Sequence, residues 1–275
     1  MAVDAASLDY VCRLVKKHAA IVLDSSKDYL IDARLKPLAK ELGFDSIEAL
    51  LRTLQARETP DLVNRVVDAM TTNETTFFRD VQPFEVLRNN VLPALIAKRA
   101  ARRSLKIWSA ASSTGQEPYS ISMMIEEHFP QLKDWDVSIL ATDISTSVLA
   151  KAKSGKYHQL EVNRGLPARY LGKYMERDGM HWTLKESVRR RVDFRQMNLA
   201  ASWPVMATMD VIFIRNVLIY FDIDTRRSIL SRTRQKLAPD GFLFVGSTET
   251  TVNVDSSFVR APFERSSCYT PSAAG

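Results

Sequence analysis

Ile107-Trp108-Ser109-Ala110-Ala111-Ser112-Ser113-Thr114-Gly115-Gln116-Glu117-Pro118-Tyr119-Ser120 is the stretch that decides the fold class. An apolar run, Leu105–Ala110, gives way to small residues and then to a proline-led helical pattern over Pro118–Phe129. The predicted unit is strand, tight loop, helix, with Pro118 at the first helical position. Open α/β sheets bind ligands beyond the C-terminal ends of their strands, and the loop Ala110–Glu117 occupies that place. Its small residues (Ala110, Ala111, Ser112, Ser113 and Gly115) let backbone approach a ligand closely. The loop is not G-x-G-x-x-G, and no dinucleotide fingerprint occurs anywhere in the chain. A bound pyrophosphate needs such close N–H groups at a helix start, so NAD and FAD are disfavoured.

The alternation continues outward from this unit. Strands are predicted over Val137–Thr142, Val192–Met197, Asp210–Arg215 and Phe242–Gly246, with helices over Ser145–Lys153 and about Thr225–Leu237. A helix from Pro83 to Ala101 precedes them. This pattern predicts an α/β fold with a mainly parallel sheet covered on both faces. Arg177-Asp178-Gly179 marks a turn between Lys173–Glu176 and Met180–Leu184, so a small antiparallel hairpin inserted at about 168–191 is expected.

The first 80 residues read as four short helices. Leu8, Val11, Cys12, Val15 and Ala19 recur at helical spacing, as do Leu30, Ile31, Leu35, Leu38 and Leu42 before Gly43, the expected C-cap. Pro37 predicts a kink or break. Asp45 with Glu48 marks the next helix start, and Thr59-Pro60 the one after. The expected organisation is a helical domain with its linker over 1–80 and a sheet domain over 81–275, with a disordered tail from Ser272.

At 275 residues, 45% hydrophobic and 25% charged, the chain has the composition of a folded protein with a core. Its longest nearly apolar run, Val211–Phe221, is broken by Arg215 and Asn216 and falls short of the ~20 residues of a membrane span. Met1-Ala2-Val3-Asp4 lacks the basic start and apolar run of a secretion signal, so a cytoplasmic location is expected, with no membrane insertion. Cys12 and Cys268 give neither metal spacing nor a disulfide framework, and Cys12 reads as core. The net charge of +6 is uneven: residues 86–196 hold 19 basic and 11 acidic side chains, whereas residues 1–85 hold 11 and 14. The basic runs at Lys98-Arg99, Arg102-Arg103-Lys106 and Arg189-Arg190-Arg191-Arg195 read either as solvated faces or as a surface for an acidic partner.

Several polar residues stand where chemistry would occur. Thr71-Thr72-Asn73-Glu74-Thr75-Thr76-Phe77-Phe78-Arg79-Asp80 reads either as a capped turn or as a lid over a polar ligand. Asp143 ends the second strand, as a ribose-binding acid or as the N-cap of the Ser145 helix. Glu117 is a ligand contact or a first-turn acid favoured by the helix dipole. Arg215-Asn216 interrupts an apolar strand, and both side chains are expected to point into a polar cleft. Tyr220 is an acceptor-orienting phenol or a half-buried aromatic. His18, His128, His158 and His181 sit in no motif, and no Ser, Cys or His nucleophile stands out.

In order and spacing, Thr71–Asp80, Ile107–Ser120, Ala141–Ser145, Gln196-Met197-Asn198-Leu199 and Phe213–Asp222 resemble the chemotaxis-receptor glutamate methyltransferases, the CheR family. The resemblance runs from about Ser7 to Phe263. It implies a Rossmann-like sheet of the S-adenosylmethionine (SAM)-dependent methyltransferases, with a small all-helical N-terminal domain and an antiparallel β-subdomain. It implies SAM as cofactor, with S-adenosylhomocysteine (SAH) as product, and Asn73, Thr75, Arg79, Glu117, Asp143, Asn198, Leu199, Arg215 and Asn216 as cofactor contacts. Arg79 and Tyr220 are the expected catalytic residues, Arg79 gripping either the methionine carboxylate of SAM or the acceptor glutamate. The implied partners are the cytoplasmic helical domains of chemoreceptors, with a receptor tail peptide at the β-subdomain in some members. No metal is expected. Ser112 and Gln116 depart mildly from the family pattern, where Cys and Glu are common, and Gly246-Ser247-Thr248-Glu249 matches a family loop only in part. A nucleic-acid acceptor is the rival reading on the basic middle region, but no Asp/Asn-Pro-Pro-aromatic loop follows the fourth strand. A non-catalytic receptor adaptor is the third.

Overall fold

The computed structural model describes residues 4–23, 28–264 and 266–272. The chain divides into two compact units, Met1–Thr72 with Tyr220–Thr225, and Asn73–Ile219 with Arg226–Gly275. The Asn73–Asp80 segment therefore belongs with the sheet.

In the first unit, α1 (Ala5–Ala19), α2 (Asp28–Glu41), α3 (Ile47–Ala56) and α4 (Pro60–Met70) follow the apolar periodicity. The α3 stripe Ile47, Leu50, Leu51 and Leu54 is buried, as is Val63, Val66, Val67 and Met70 of α4. Pro37 does not break α2. Buried Ile31, Leu35, Leu38 and Ala39 on the same helix outweigh the ~3 kcal/mol of an interior proline, at roughly 1.5–3 kcal/mol per large apolar side chain. Gly43, at φ 77°, closes α2 as expected, with the Phe44 N–H on the Ala39 carbonyl at 2.9 Å. The next helix is capped by Ser46 rather than Asp45, the Ser46 hydroxyl accepting from the Ala49 N–H at 3.2 Å. Cys12 is only half-buried, one position off the Val11–Val15 stripe.

The second unit opens with α5 (Gln82–Val86), a π-helical turn (Leu87–Val91) and α6 (Leu92–Arg99), where one helix was expected. Pro93 has no N–H for the regular ladder, and the Leu92 N–H reaches five residues back to Leu87. Then come β1 (Ser104–Ala110), α7 (Gln116–His128), β2 (Asp136–Asp143), α8 (Thr146–Ser154), β3 (Lys156–His158), α9 (Gln159–Asn163), α10 (Ala168–Tyr174), β4 (Met175–Asp178), β5 (His181–Leu184), α11 (Glu186–Arg189) and β6 (Val192–Gln196). The chain continues through β7 (Met209–Ile214), α12 (Ile223–Lys236), β8 (Leu237–Val245), β9 (Phe258–Arg260) and β10 (Cys268–Pro271). The main sheet has the order β6-β2-β1-β7-β8-β10-β9, and its first five strands are mutually parallel. The antiparallel β9 and β10 were not foreseen, because three or four residues carry too short a period to read. Ser272, expected in a disordered tail, donates its N–H to the Ser257 carbonyl at 2.8 Å; residues 273–275 lie outside the described residues. The hairpin forms as β4–β5, turning at Gly179, and β3 joins it in a three-stranded antiparallel sheet that reaches back to Lys156.

Register is what positions the site. Ala110 pairs with Thr142 and Ile214, Ile214 with Val245, and Asp143 with Gln196, so the parallel strands end side by side. Chain order reverses between β1 and β7, which opens the crevice where such sheets take ligands.

Much of the basic excess is used internally. Arg99 donates to Asp210 and, with both terminal nitrogens, to Asp240; Arg102 also reaches Asp210, and the Lys106 N–H binds it at 2.9 Å. Arg103 meets Asp134, Arg191 meets Glu126 and Arg195 meets Asp193. These pairs weaken the reading of the basic runs as one acidic-partner surface. Hydrogen bonds from Arg99 hold the Asp240 carboxyl down at about 2, below the ordinary carboxylate value of ~4. A depressed pKa contributes stability that is complete above ~4 and is lost as pH falls towards 2. We expect the urea midpoint to drop over that window, and Asp240→Asn to flatten the drop; an unchanged slope in the variant contradicts the pairing.

Candidate functional site

The loop leaving β1 is held in an unusual backbone. Ala111, Ser113 and Gly115 all have positive φ, at 54°, 49° and 91°. Two of the three are not glycine, and such strain persists only where the surroundings over-determine it. A Cβ on Gly115 would lie 3.0 Å from Ala152 Cβ and 3.2 Å from the rings of Phe194 and Tyr119, so any other residue would crowd these side chains and strain the backbone at φ 91°. Gly115 is also the N-cap of α7, which starts at Gln116. Pro118 thus sits in the first turn but not at its first position; the N–H it lacks is one the helix leaves unpaired in any case. Beneath the loop, the Tyr157 phenol donates to the Thr114 carbonyl at 2.7 Å, and the Tyr119 phenol to the Ala152 carbonyl at 2.9 Å. Burial pushes Tyr119 up to about 12 and Tyr157 well above its ordinary value. Both therefore remain donors at neutral pH.

Asp143 ends β2 and is buried. Its carboxylate accepts the Ser113 N–H at 2.8 Å and the Ser145 N–H at 3.0 Å, and its own carbonyl accepts the Met197 N–H at 2.9 Å. The N-cap of α8 is Ser145, not Asp143. Asp143 thus joins the loops after β1, β2 and β6.

The Asn73–Asp80 segment is tethered to the same edge. The Asn73 carbonyl accepts from Ser113 Oγ at 2.7 Å, and the Phe78 N–H donates to Ser120 Oγ at 3.0 Å. Phe77 and Phe78 are buried in the sheet unit's core, and Thr75 lies half-buried between these tethers. Arg215, expected to point into a cleft, is instead buried at 5% exposure. Its guanidinium donates to Glu117 Oε2 at 2.8 Å, to Asp80 Oδ2 at 2.6 Å and to the Arg79 carbonyl at 3.1 Å. Two carboxylates compensate its charge, which is why a strand can carry it inside. The other Glu117 oxygen accepts from Ser109 Oγ at 2.8 Å. Arg79 is half-buried and donates one Nη to the Glu74 carbonyl at 2.8 Å; among the described residues it forms no salt bridge.

Asn198 follows Met197 and folds back on the chain, its Oδ1 accepting the Ala200 N–H at 2.9 Å. Leu199 is buried, and its carbonyl accepts from Trp203 Nε1 and Arg232. Asn216, at φ 58°, gives its N–H to Glu249 at 2.7 Å. Tyr220 is half-buried and belongs to the helical unit's residues, where its carbonyl accepts the Val22 N–H at 2.8 Å. Sequence reasoning did not assign Asp80, Ser113 or Ser120 to the site, and left Glu249 uncertain; none of the four lies in a spacing that signals its partner.

Small residues, a distorted backbone and a buried carboxylate make this edge suited to a nucleoside, and nothing in it resembles a pyrophosphate cradle. Ser112 Oγ is buried in the loop and has no hydrogen-bond partner among the described residues, a polar atom that a bound ligand would satisfy. These features fit SAM. Asp143→Ala should abolish SAH binding measured by calorimetry, and wild-type affinity in that variant contradicts the assignment. Arg215→Met strands the buried Glu117 carboxylate and should cost about 3–5 kcal/mol in urea unfolding, with unchanged stability as the contrary result.

The profile described as "CheR methyltransferase, SAM binding domain" matches residues 73–266, and that described as "CheR methyltransferase, all-alpha domain" matches residues 6–71. The chain is 44% identical over 249 residues to Chemotaxis protein methyltransferase 1 of Pseudomonas aeruginosa, covering 89% of this chain and 90% of that protein. It is 43% identical to Chemotaxis protein methyltransferase Cher2 of Pseudomonas putida, with 86% of each covered. It is 41% identical to Chemotaxis protein methyltransferase 1 of Vibrio cholerae, with 90% of each covered. With the sheet-edge geometry and this likeness together, the chain belongs to the CheR methyltransferase family and is a SAM-dependent methyltransferase of chemotaxis.

Proposed function

We propose that the chain transfers the methyl group of SAM to glutamate side chains of membrane chemoreceptors, forming glutamyl methyl esters in chemotaxis adaptation. The observation that carries this reading is Arg79: its backbone carbonyl is held by Arg215, and its guanidinium bonds the Glu74 carbonyl and takes part in no salt bridge among the described residues. Its planar fork matches a carboxylate.

Bound SAM supplies an electrophilic methyl on a sulfonium, and transfer to a carboxylate forms a C–O bond as the C–S bond breaks, with no proton to move. An acceptor glutamate, with an ordinary pKa of ~4.3, is already ionised at neutral pH. No general base is needed, and the raised phenols of Tyr119 and Tyr157 supply none. The residues' work is alignment and exclusion of water. We assign Asp143, Asn73, Thr75, Asn198, Leu199 and Asn216 to holding the cofactor, with Glu117 and Arg215 acting from beneath by fixing Arg79 and Asp80. Arg79 positions rather than activates, because tight pairing with the nucleophile would stabilise the ground state. Tyr220, five residues beyond Arg215 in sequence, is proposed to orient the acceptor. The proposed partners are the acidic helical bundles of chemoreceptor cytoplasmic domains; a tail peptide docking on the β3-β5-β4 sheet is a further proposal.

The test is tritiated methyl transfer to a purified receptor cytoplasmic fragment. Label released as methanol in mild base, and lost when the acceptor glutamates are changed to alanine, is the expected result. Arg79→Lys should lower kcat/KM by about tenfold or more, as one arm of a bidentate contact is worth roughly 1.5–3 kcal/mol. Base-stable label, or label on nucleic acid, overturns the reading.

A further inference from the structure

Glu249, like Asp143, is a buried carboxylate of the sheet unit that accepts backbone N–H groups. It is 8% exposed and takes part in no salt bridge among the described residues. Its charge is met instead by backbone. Oε2 accepts the N–H groups of Gly246 at 2.6 Å and Asn216 at 2.7 Å, and Oε1 those of Val217 at 2.9 Å and Ile219 at 3.3 Å. Successive N–H groups converging on one oxyanion form a nest, here filled by the protein's own side chain. Gly246 makes this possible, since a Cβ there would come within 2.6 Å of Glu249 Oε2 and 2.9 Å of the Asn216 nitrogen.

The placement gives the contact a role beyond packing. Ile214 and Val245 are register partners at the ends of β7 and β8, so the loops 215–219 and 246–249 leave the sheet side by side at the ligand edge. Among the described residues, Glu249 binds the backbone of both loops. It holds Asn216 at φ 58°, a conformation that Asn tolerates better than most residues but still at a cost. Asp210, at the opposite end of β7, is also buried, yet it is ion-paired with Arg99 and lies at the strand's start.

We infer that Glu249 is a positioning residue for methyl transfer, which sets the Arg215–Asn216 loop for cofactor binding through four backbone hydrogen bonds. The inference rests on the reading that this loop holds the cofactor. Glu249→Gln keeps the volume but replaces one oxygen with a donor that faces two N–H groups. With two acceptor bonds lost, SAH binding by calorimetry should weaken by about tenfold, the KM for SAM should rise more than kcat falls, and the amides of Asn216 and Val217 should exchange hydrogen faster. Glu249→Asp, which retains the charge but not the reach, should show the same pattern in weaker form. Asp210→Asn is the structural control, expected to lower the melting temperature with SAH affinity intact. The inference is overturned if the Glu249 variants behave like Asp210→Asn, or if neither folds, since either result assigns the residue to stability alone. Failure of the wild type to bind SAH would instead remove the cofactor reading beneath it.

Discussion

The site depends on one buried guanidinium. Arg215 emerges at the end of a fully buried strand, β7, and binds Glu117 at the start of α7, Asp80 and the Arg79 carbonyl. A single cation thereby fixes three parts of the sheet unit: the strand end, the helix that follows the β1 loop, and the segment that precedes the sheet in sequence. Removing either carboxylate would leave charge in a poorly solvated place, so the arrangement is close to all-or-none. That cooperativity suits the alignment-driven transfer proposed for this chain.

The segment so held is strained. Phe78, Asp80 and Val81 all have positive φ, at 48°, 66° and 41°, and for a β-branched residue such as Val81 this is a true outlier. The strain is offset by packing. Phe77 meets Tyr157 edge-on, and Phe78 meets Phe84 edge-on and Tyr170 at a tilt. Gly165 packs so closely on the Phe77 carbonyl that a Cβ would sit 2.1 Å from it. Arg79 thus projects from a turn whose two sides are anchored, one in the aromatic core and one on Arg215. The long flexible side chain proposed to position the acceptor is thus given a short, stiff base.

The parallel strands, the loop Ala110–Glu117 and the place of Asp143 were legible because each rests on a local pattern: an apolar run, small residues, an acid at a strand end. Periodicity likewise revealed α1 to α4. What was not legible is where long-range partners decide. No local signal says that Arg215 would be buried rather than turned to a cleft, since its compensating charges lie 98 and 135 residues away in sequence. Pro37 broke the helix rule because tertiary burial overrode propensity, whereas Pro93 produced a π turn where one straight helix was expected. β3, β9 and β10 are too short to show a period and exist through their pairing. Glu249 was visible as a residue, but its four donors come from two loops that only the sheet register brings together.

A crystal structure of the protein with SAH bound tests the central claim most directly. The account predicts the nucleoside at the C-terminal edge of β1, β2 and β7, with its ribose on Asp143, the β1 loop beneath it, and Arg79 facing the sulfur side with a carboxylate within hydrogen-bond reach. Density for SAH elsewhere on the molecule, or at that edge with Asp143 and Arg79 both turned away from it, would contradict the account.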